Sequence, residues 1–399
     1  MLRTLVIGGG IAGPVTAMAL QKAGFKPTLY EAFDRTAEGV GAFMNIGANG
    51  LDALDCLDLA DIVRKNGFDT PVMAFYGHTG RRLTGDIPTN RLSRNGTTIH
   101  TLQRSDLYIT LRDEAVKRGI PIEYGKRLVD ATNEGDKVVA VFEDGQQVEG
   151  DLLVGADGLH SQVRKVIDPA APGPRYLGVL NAFGYLRGYP TGEAPGAIRM
   201  FFGRKCFFMY TEDHASNIVW YANPPRPTEP GAADLRDPAW RDELLRLFEG
   251  DRMPAADIIR ATTDMAPLFP NRDLPTVRRW HRGRMIIIGD AAHAVSPTVG
   301  SGASIAMEDG VVLAKCLRDA PTIAAGFAAY EAVRRDRVEA VVAQGKYNIE
   351  GNMRGPVGRT VRNFFLARAF RKPPGKVKDP TWMQKHHIDW DAKETRYTV

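Results

Sequence analysis

The sequence predicts an α/β protein: a parallel-sheet domain interrupted by an antiparallel sheet, completed late in the chain and followed by C-terminal helices. Three observations carry this expectation. A glycine-rich turn, Gly8-Gly9-Gly10-Ile11-Ala12-Gly13, sits between a short apolar strand and a helical pattern. From Val179 to Tyr221 the texture changes to short aromatic stretches separated by turn residues. At Met285–Ile288 a buried-strand pattern returns, with a helical pattern after it.

Composition bounds the reading. With 399 residues the chain can bury a sizeable core and form two substructures. Hydrophobic content of 44% and charged content of 25% are ordinary for a globular protein. No apolar run reaches the roughly 18–20 residues of a membrane span. The apolar run Leu5–Ile7 is too short for a secretory signal and reads as a buried strand. Cys56, Cys206 and Cys316 lie far apart without a Cys-x-x-Cys pair, which argues against a dithiol centre or zinc ribbon and for a cytoplasmic protein. No metal site is expected. Net charge is +5, but residues 351–399 hold eleven Lys/Arg against four Asp/Glu. Arg354, Arg359, Arg362 and Arg368 lack the interleaved aromatics of a nucleic-acid groove, so the tail reads as a solvated basic face with no nucleic-acid partner.

The elements follow in order. Leu2–Ile7 reads as a strand, Ile11–Ala23 as a helix and Pro27–Glu31 as the second strand. Apolar spacing predicts a helix over Leu51–Lys65 and another over Asp106–Arg118, the latter capped by Ser105. Val138–Phe142 and Gln147–Glu149 flank the turn Glu143-Asp144-Gly145, a hairpin signal, and Asp151–Gly155 is a further apolar strand. Leu180–Tyr189, Ala197–Phe202, Cys206–Tyr210 and Asn217–Tyr221 are the aromatic strands. A helix at Trp240–Phe248, the strand Met285–Ile288 and a helix at Ser304–Arg318 complete the pattern. Residues 1–70, 98–175 and 275–340 therefore belong to one domain. Residues 71–97 and 176–274 belong to the sheet domain, and 341–399 form a C-terminal helical region and basic tail.

Three motifs carry chemistry. In the first, Gly8 permits the tight turn, Gly10 lets backbone approach a pyrophosphate, and Gly13 lets helix pack on strand; Ile11 and Ala12 open the helix whose N–H groups face the phosphates. Glu31 ends the second strand about 20 residues on, where a carboxylate accepts from a ribose hydroxyl and disfavours a 2′-phosphate. The second motif, Gly155-Ala156-Asp157-Gly158, leads through Ser161 into a helix that Ser161 can cap. On spacing alone, Asp157 serves equally as a ligand or as a turn former. In the third, Gly289-Asp290 follows a buried strand, so that Asp290 can bind ribityl or ribose hydroxyls. The loop Pro297-Thr-Val-Gly300-Ser-Gly302-Ala303 then leads to a helix N-terminus able to stabilise negative charge. His293 reads as a packed or phosphate-side histidine rather than a catalytic one.

Together these motifs resemble the class A flavoprotein monooxygenases, the FAD-dependent aromatic hydroxylases typified by para-hydroxybenzoate hydroxylase, over roughly residues 1–345. The resemblance implies a Rossmann-type FAD-binding domain interrupted by an antiparallel β-sheet substrate domain. It implies that Asp157 serves FAD and nicotinamide-cofactor binding and that Asp290 contacts the ribityl chain. Arg104, in Gln103-Arg104-Ser-Asp-Leu107, is implied to approach the FAD phosphates, and the Leu128 backbone to meet the adenine. NADH or NADPH would be the electron donor and O2 the co-substrate, with a flavin C4a-hydroperoxide delivering oxygen. The flavin carries this chemistry, so no catalytic side chain is assigned. The loop reads Gly-Ser-Gly-Ala-Ser where relatives often carry Gly-Gln-Gly-Ala-Asn, which puts neighbouring polar contacts in doubt.

The substrate wall is expected from Phe183, Tyr185, Phe201, Phe207, Met209, Tyr210, Trp220 and Tyr221, with Tyr185, Phe201, Met209, Tyr210 and Tyr221 the leading candidates. Alternate strand residues share a face, so either Phe207 with Met209 or Phe208 with Tyr210 looks toward the cofactor. An aromatic or polycyclic substrate is expected. A flavin reductase or dehydrogenase, an epoxidase or Baeyer–Villiger oxygenase, and a non-enzymatic ligand-binding flavoprotein are the alternatives; the Trp-x-Trp-x-Ile-Pro segment of flavin halogenases does not occur.

Overall fold

In the computed structural model, which describes residues 1–34, 42–263, 265–352, 358 and 382–394, the strand Arg3–Ile7 lies inside a six-stranded sheet. The strand order is His281–Arg282, Met285–Ile287, Leu152–Gly155, Arg3–Ile7, Lys26–Tyr30, Ile122–Glu123. All neighbours run parallel except the antiparallel edge pair His281–Arg282 with Met285–Ile287. Both faces are covered, so the inner strands read as continuous apolar runs: Leu152–Val154 and Met285–Ile288 are fully buried. The helix Ala12–Lys22 packs against the helix Gly302–Asp319, which also meets Ala48–Asp55. The expected hairpin is present as Lys137–Phe142 with Gln147–Gly150, and Leu128–Glu134 joins it.

The second sheet has seven strands, ordered Phe269–Asp273, Arg175–Leu186, Ile218–Asn223, Phe207–Glu212, Ala197–Phe202, Val72–Gly77, Ile87–Pro88. It is antiparallel, as expected, apart from one parallel pair, Ala197–Phe202 with Val72–Gly77. Its outer face buries Phe201, Phe208, Tyr210 and Trp220 under the helices Trp240–Leu247 and Ala255–Ala261. Its inner face packs Phe183, Ile198, Met209 and Tyr221 with Phe43 and Ile99 of the first lobe.

Several expectations need correction. The helix expected over Leu51–Lys65 is two helices, Ala48–Asp55 and Ala60–Val63, separated at Asp58, whose φ is 58°. A left-handed residue cannot continue an α-helix, and Leu57 and Leu59 on either side of it are both fully buried. The helix expected from Asp106 begins at Arg104, so Ser105 lies in its first turn and is not the cap. The strand Ile99–Gln103 runs straight into it, and the Ala42 carbonyl accepts from Arg104 N at 3.0 Å, which satisfies one of the free N–H groups. Ser161 does cap: its Oγ accepts from Arg164 N at 2.9 Å.

The helix Ile323–Asn352 runs for 30 residues across the boundary expected at 340. Residues 382–394 return to the first lobe, where Gln384 Oε1 accepts from Ala48 N at 2.8 Å and Asp52 accepts from Ile388 N at 2.9 Å. Arg354, Arg359, Arg362 and Arg368 lie outside the described residues. No described helix is long and apolar enough to cross a membrane.

Gly184 faces Trp220 across the sheet, and a Cβ there would lie 2.8 Å from the indole. That indole donates to Thr262 Oγ1 at 2.9 Å and is fully buried, so it cannot retreat. Gly184→Ala is therefore expected to destabilise the fold by about 1–3 kcal/mol through overpacking, read as a lower urea midpoint with an unchanged m-value.

Candidate cofactor and substrate site

The carboxyl ends of the parallel strands bring the three motifs together. Gly8, Glu31, Ala156-Asp157 and Gly289-Asp290 each follow a strand of the same sheet. Strands lie about 4.8 Å apart, so Gly8 and Gly289, two strands away, are about 10 Å apart. Crevices at this end of an open parallel sheet are where ligands bind.

The glycine turn is held from both sides. Gly8 has φ of 107°, and a Cβ on it would fall 2.4 Å from the Ala156 carbonyl oxygen. A Cβ on Gly13 would fall 1.9 Å from the Gly8 carbonyl oxygen. Gly10 keeps a partly open face, and its nearest neighbour in the Cβ direction is Tyr108 Oη at 3.3 Å. Ile11 and Ala12 are buried at the helix start. Glu31 presses its carboxylate onto the turn: Oε2 accepts from Gly9 N at 2.6 Å and Oε1 from Phe33 N at 3.0 Å. Leu128 is buried at the head of its strand.

Arg104 is exposed at the start of its helix and donates through Nη2 to Tyr108 Oη at 3.0 Å. Tyr108 escaped the sequence reading, although its i+4 spacing from Arg104 puts both on one helix face. Asp290 lies deep among protein atoms yet keeps an open face. Burial raises its carboxyl above the ordinary value, and the charges of His293 and Arg104 partly offset this. Arg104 and Asp290, 186 positions apart in sequence, thus share one electrostatic site.

The loop after Asp290 is also open. Pro297 and Gly300 are exposed, and Gly300 is left-handed at φ of 65°. Gly302 and Ala303 begin the helix two residues earlier than expected, with no acidic residue in its first turn and no side-chain cap. Its N–H groups therefore offer positive potential at that end. Ser304, expected only as the first residue of this helix, accepts from Gly47 N through Oγ at 3.1 Å and ties the helix to the Phe43–Ile46 strand.

Asp157 is bonded to the helix that follows it. Its Oδ1 accepts from Ser161 Oγ at 2.5 Å, and its Oδ2 from Gln162 N at 2.7 Å and Val163 N at 3.1 Å. These bonds give Asp157 a turn-forming use. His293 is buried, bonded through Nε2 to Asp309 Oδ2 at 2.5 Å and set beside Trp280, a packed histidine.

The register of the second sheet resolves the facing of the aromatic wall. Phe207, Met209, Phe183, Tyr185 and Tyr221 look toward the first lobe. Phe201 and Tyr210 correct the expectation: they sit on the outer face, where they stack at 6.0 Å among Phe208 and Trp220. The period of two sends them away from the cofactor side once Met209 points toward it. Tyr185 Oη is buried without a hydrogen-bond partner among the described residues, and burial raises its pKa, so it remains a neutral donor. Tyr221 is fixed by an amide cluster: its hydroxyl donates to Asn181 Oδ1 at 2.5 Å and accepts from Asn223 Nδ2 at 2.7 Å. Asn271 Nδ2 also donates to Asn181 Oδ1, at 3.0 Å.

Comparison with known proteins agrees with this geometry. A family model described as an FAD binding domain matches residues 1–345. The FAD-dependent urate hydroxylase of Klebsiella pneumoniae is 31% identical over 353 residues, covering 86% of this chain and 89% of that protein. The aurachin C monooxygenase/isomerase of Stigmatella aurantiaca is 31% identical over 357 residues, covering 87% and 88%. The chloroplastic zeaxanthin epoxidase of Oryza sativa subsp. japonica is 31% identical over 335 residues, covering 78% of this chain and 48% of that protein. The crystal structure of Klebsiella pneumoniae HpxO complexed with FAD and uric acid superposes with a TM-score of 0.82 at 28% identity, covering 92% and 93%. The chain belongs to the FAD-dependent aromatic hydroxylase family, the class A flavoprotein monooxygenases. FAD is its cofactor.

The buried carboxylates behind this site make stability pH-dependent. Burial pushes the Asp309 carboxyl up, but Arg334 and His293 against it outweigh this and hold it down to about 2, below its ordinary 3.8. A depressed carboxyl stabilises the fold above its unfolded pKa and loses that contribution as pH falls toward the folded one. Asp309→Asn is expected to be about 3 kcal/mol less stable than the native chain at pH 6. That gap should shrink between pH 3.8 and about 2, measured by urea unfolding across the range.

Proposed function

We propose that this protein uses NADH or NADPH and O2 to hydroxylate a flat aromatic or heteroaromatic small molecule held between the cofactor lobe and the inner face of the second sheet. The stoichiometry is substrate, O2, NAD(P)H and a proton giving hydroxylated product, NAD(P)+ and water. The observation that carries this reading is the inner aromatic face, Phe183, Tyr185, Phe207, Met209 and Tyr221, set against the lobe that bears the cofactor motifs.

FAD, when bound, supplies hydride acceptance and oxygen activation. Gly8, Gly10, Gly13, Ile11 and Ala12 would receive its pyrophosphate, with Arg104 and Tyr108 beside them. Glu31 would take the adenosine ribose, Leu128 the adenine and Asp290 the ribityl hydroxyls. Pro297, Gly300, Gly302 and Ala303 would line the ring, where the helix N-terminus favours negative charge. Asp157 acts indirectly by shaping the turn against Gly8. The apolar face excludes water, and Tyr185 Oη donates to a polar atom of the substrate.

Epoxidation is a second reading, favoured by the likeness to zeaxanthin epoxidase. Uric acid, other purinediones and phenolic and polycyclic aromatics, added to the FAD-loaded enzyme, test the proposal. A member should stimulate NAD(P)H oxidation, and one atom from 18O2 should enter a hydroxyl group of the product. Label in an epoxide would support the second reading, and turnover without O2 would contradict both. Tyr185→Phe should raise the KM for the stimulating compound about tenfold, the loss of one buried hydrogen bond, with the FAD affinity unchanged.

A further inference from the structure

Behind Asp290 lies a charge cluster that the cofactor reading does not use. One oxygen of Asp309, Oδ2, accepts from Gly289 N at 2.9 Å and bonds His293 Nε2 at 2.5 Å. The other, Oδ1, accepts from Arg334 Nε at 2.7 Å. Arg334 also donates through Nη1 to Glu308 Oε2 at 2.5 Å and through Nη2 to the Ile305 carbonyl at 3.3 Å. Glu308 is further held by Arg337 Nε at 2.9 Å and by Asn49 Nδ2 at 2.6 Å. Glu308, Asp309 and Arg334 have no exposed surface.

Two adjacent buried carboxylates repel each other and lose hydration, so they persist ionised only with cations against them. Arg334 supplies that cation from Ile323–Asn352, a helix outside the parallel sheet. Asp309 uses its charge at Gly289, whose φ of 57° is left-handed and whose amide would otherwise be a buried donor without a partner. Gly289 directly precedes Asp290. We infer that Asp309, held in place by Arg334, is a positioning residue that aims Asp290 at the ribityl chain of FAD. The inference rests on the FAD site described above. It makes cofactor affinity depend on a salt bridge that touches no cofactor atom.

The test is titration of apoprotein with FAD, followed by flavin fluorescence and by the visible spectrum of the bound flavin, beside thermal unfolding of each apoprotein. Asp309→Asn should weaken FAD binding about tenfold and shift the bound-flavin spectrum. Arg334→Lys, which keeps the charge and loses the fork, should weaken it less, about threefold. Glu308→Gln disturbs the same cluster without touching Gly289; it should lower the unfolding temperature and leave FAD affinity within twofold of native. The inference is overturned if Asp309→Asn binds FAD as the native chain does. It is equally overturned if affinity in all three variants falls in step with unfolding temperature, or if none folds, since the cluster is then structural only. Failure of the native chain itself to bind FAD would instead sink the cofactor reading.

Discussion

The molecule depends on one pairing: Leu152–Gly155 lies between Arg3–Ile7 and Met285–Ile287, parallel to both. Its register sets Gly155 beside Ile7 on one side and Ile287 on the other. The glycine turn and Gly289-Asp290 therefore leave the sheet at the same level. A slip of one residue would exchange the two buried faces of the strand and shift the motif loops out of line. Contacts between segments some 280 residues apart require the intervening chain to fold out of the way. The second sheet does so as a separate layered unit with its own core under Trp240–Leu247 and Ala255–Ala261.

Behind this crevice the stabilising logic changes from apolar to ionic. Glu308 and Asp309 interrupt the buried run Ile305–Leu313 of their helix, and Arg334 and Arg337 meet them from the next one. Such a cluster adds little net stability against an apolar core of equal volume, but it fixes one arrangement, because each charge has a single set of partners. The segment 382–394 fastens onto the same region. Arg337 Nη2 donates to the Met383 carbonyl at 2.8 Å, and Arg318 lies 4.8 Å over the Trp390 ring. This segment lies beyond the family match yet buttresses the helix that begins at the cofactor loop.

The inner face of the second sheet is where members of such a family can diverge. The cofactor lobe is constrained by close backbone approach at Gly8 and Gly13, while a sheet face can exchange side chains without altering its ladder. Here Tyr221 is locked by three asparagines, and the Tyr185 hydroxyl has no partner among the described residues. One residue is thus rigid wall and the other a polar handle, a distinction set by hydrogen bonding rather than residue type.

Much of this was legible in the sequence, for local reasons. Gly13 is demanded by the Gly8 carbonyl five residues before it, and the strand–turn–helix context of Gly8–Gly13 showed both glycines. Ser161 as a cap and the Gly145 turn are likewise local chemistry, readable from neighbours alone. The family motifs pointed to Arg104 and Asp290 as well, but not to their meeting, which needs the folded sheet. Phe201 and Tyr210 could not be told from Met209 by sequence, because alternation defines two faces without saying which is inside. The Leu51–Lys65 pattern read as one helix, and only the left-handed backbone at Asp58 showed two. The turn-forming bonds of Asp157 needed its partners to be placed. Asp309 and Arg334 were visible as charges in helical runs, but their pairing across 25 residues, and the Gly289 amide it serves, are decided by how two helices pack.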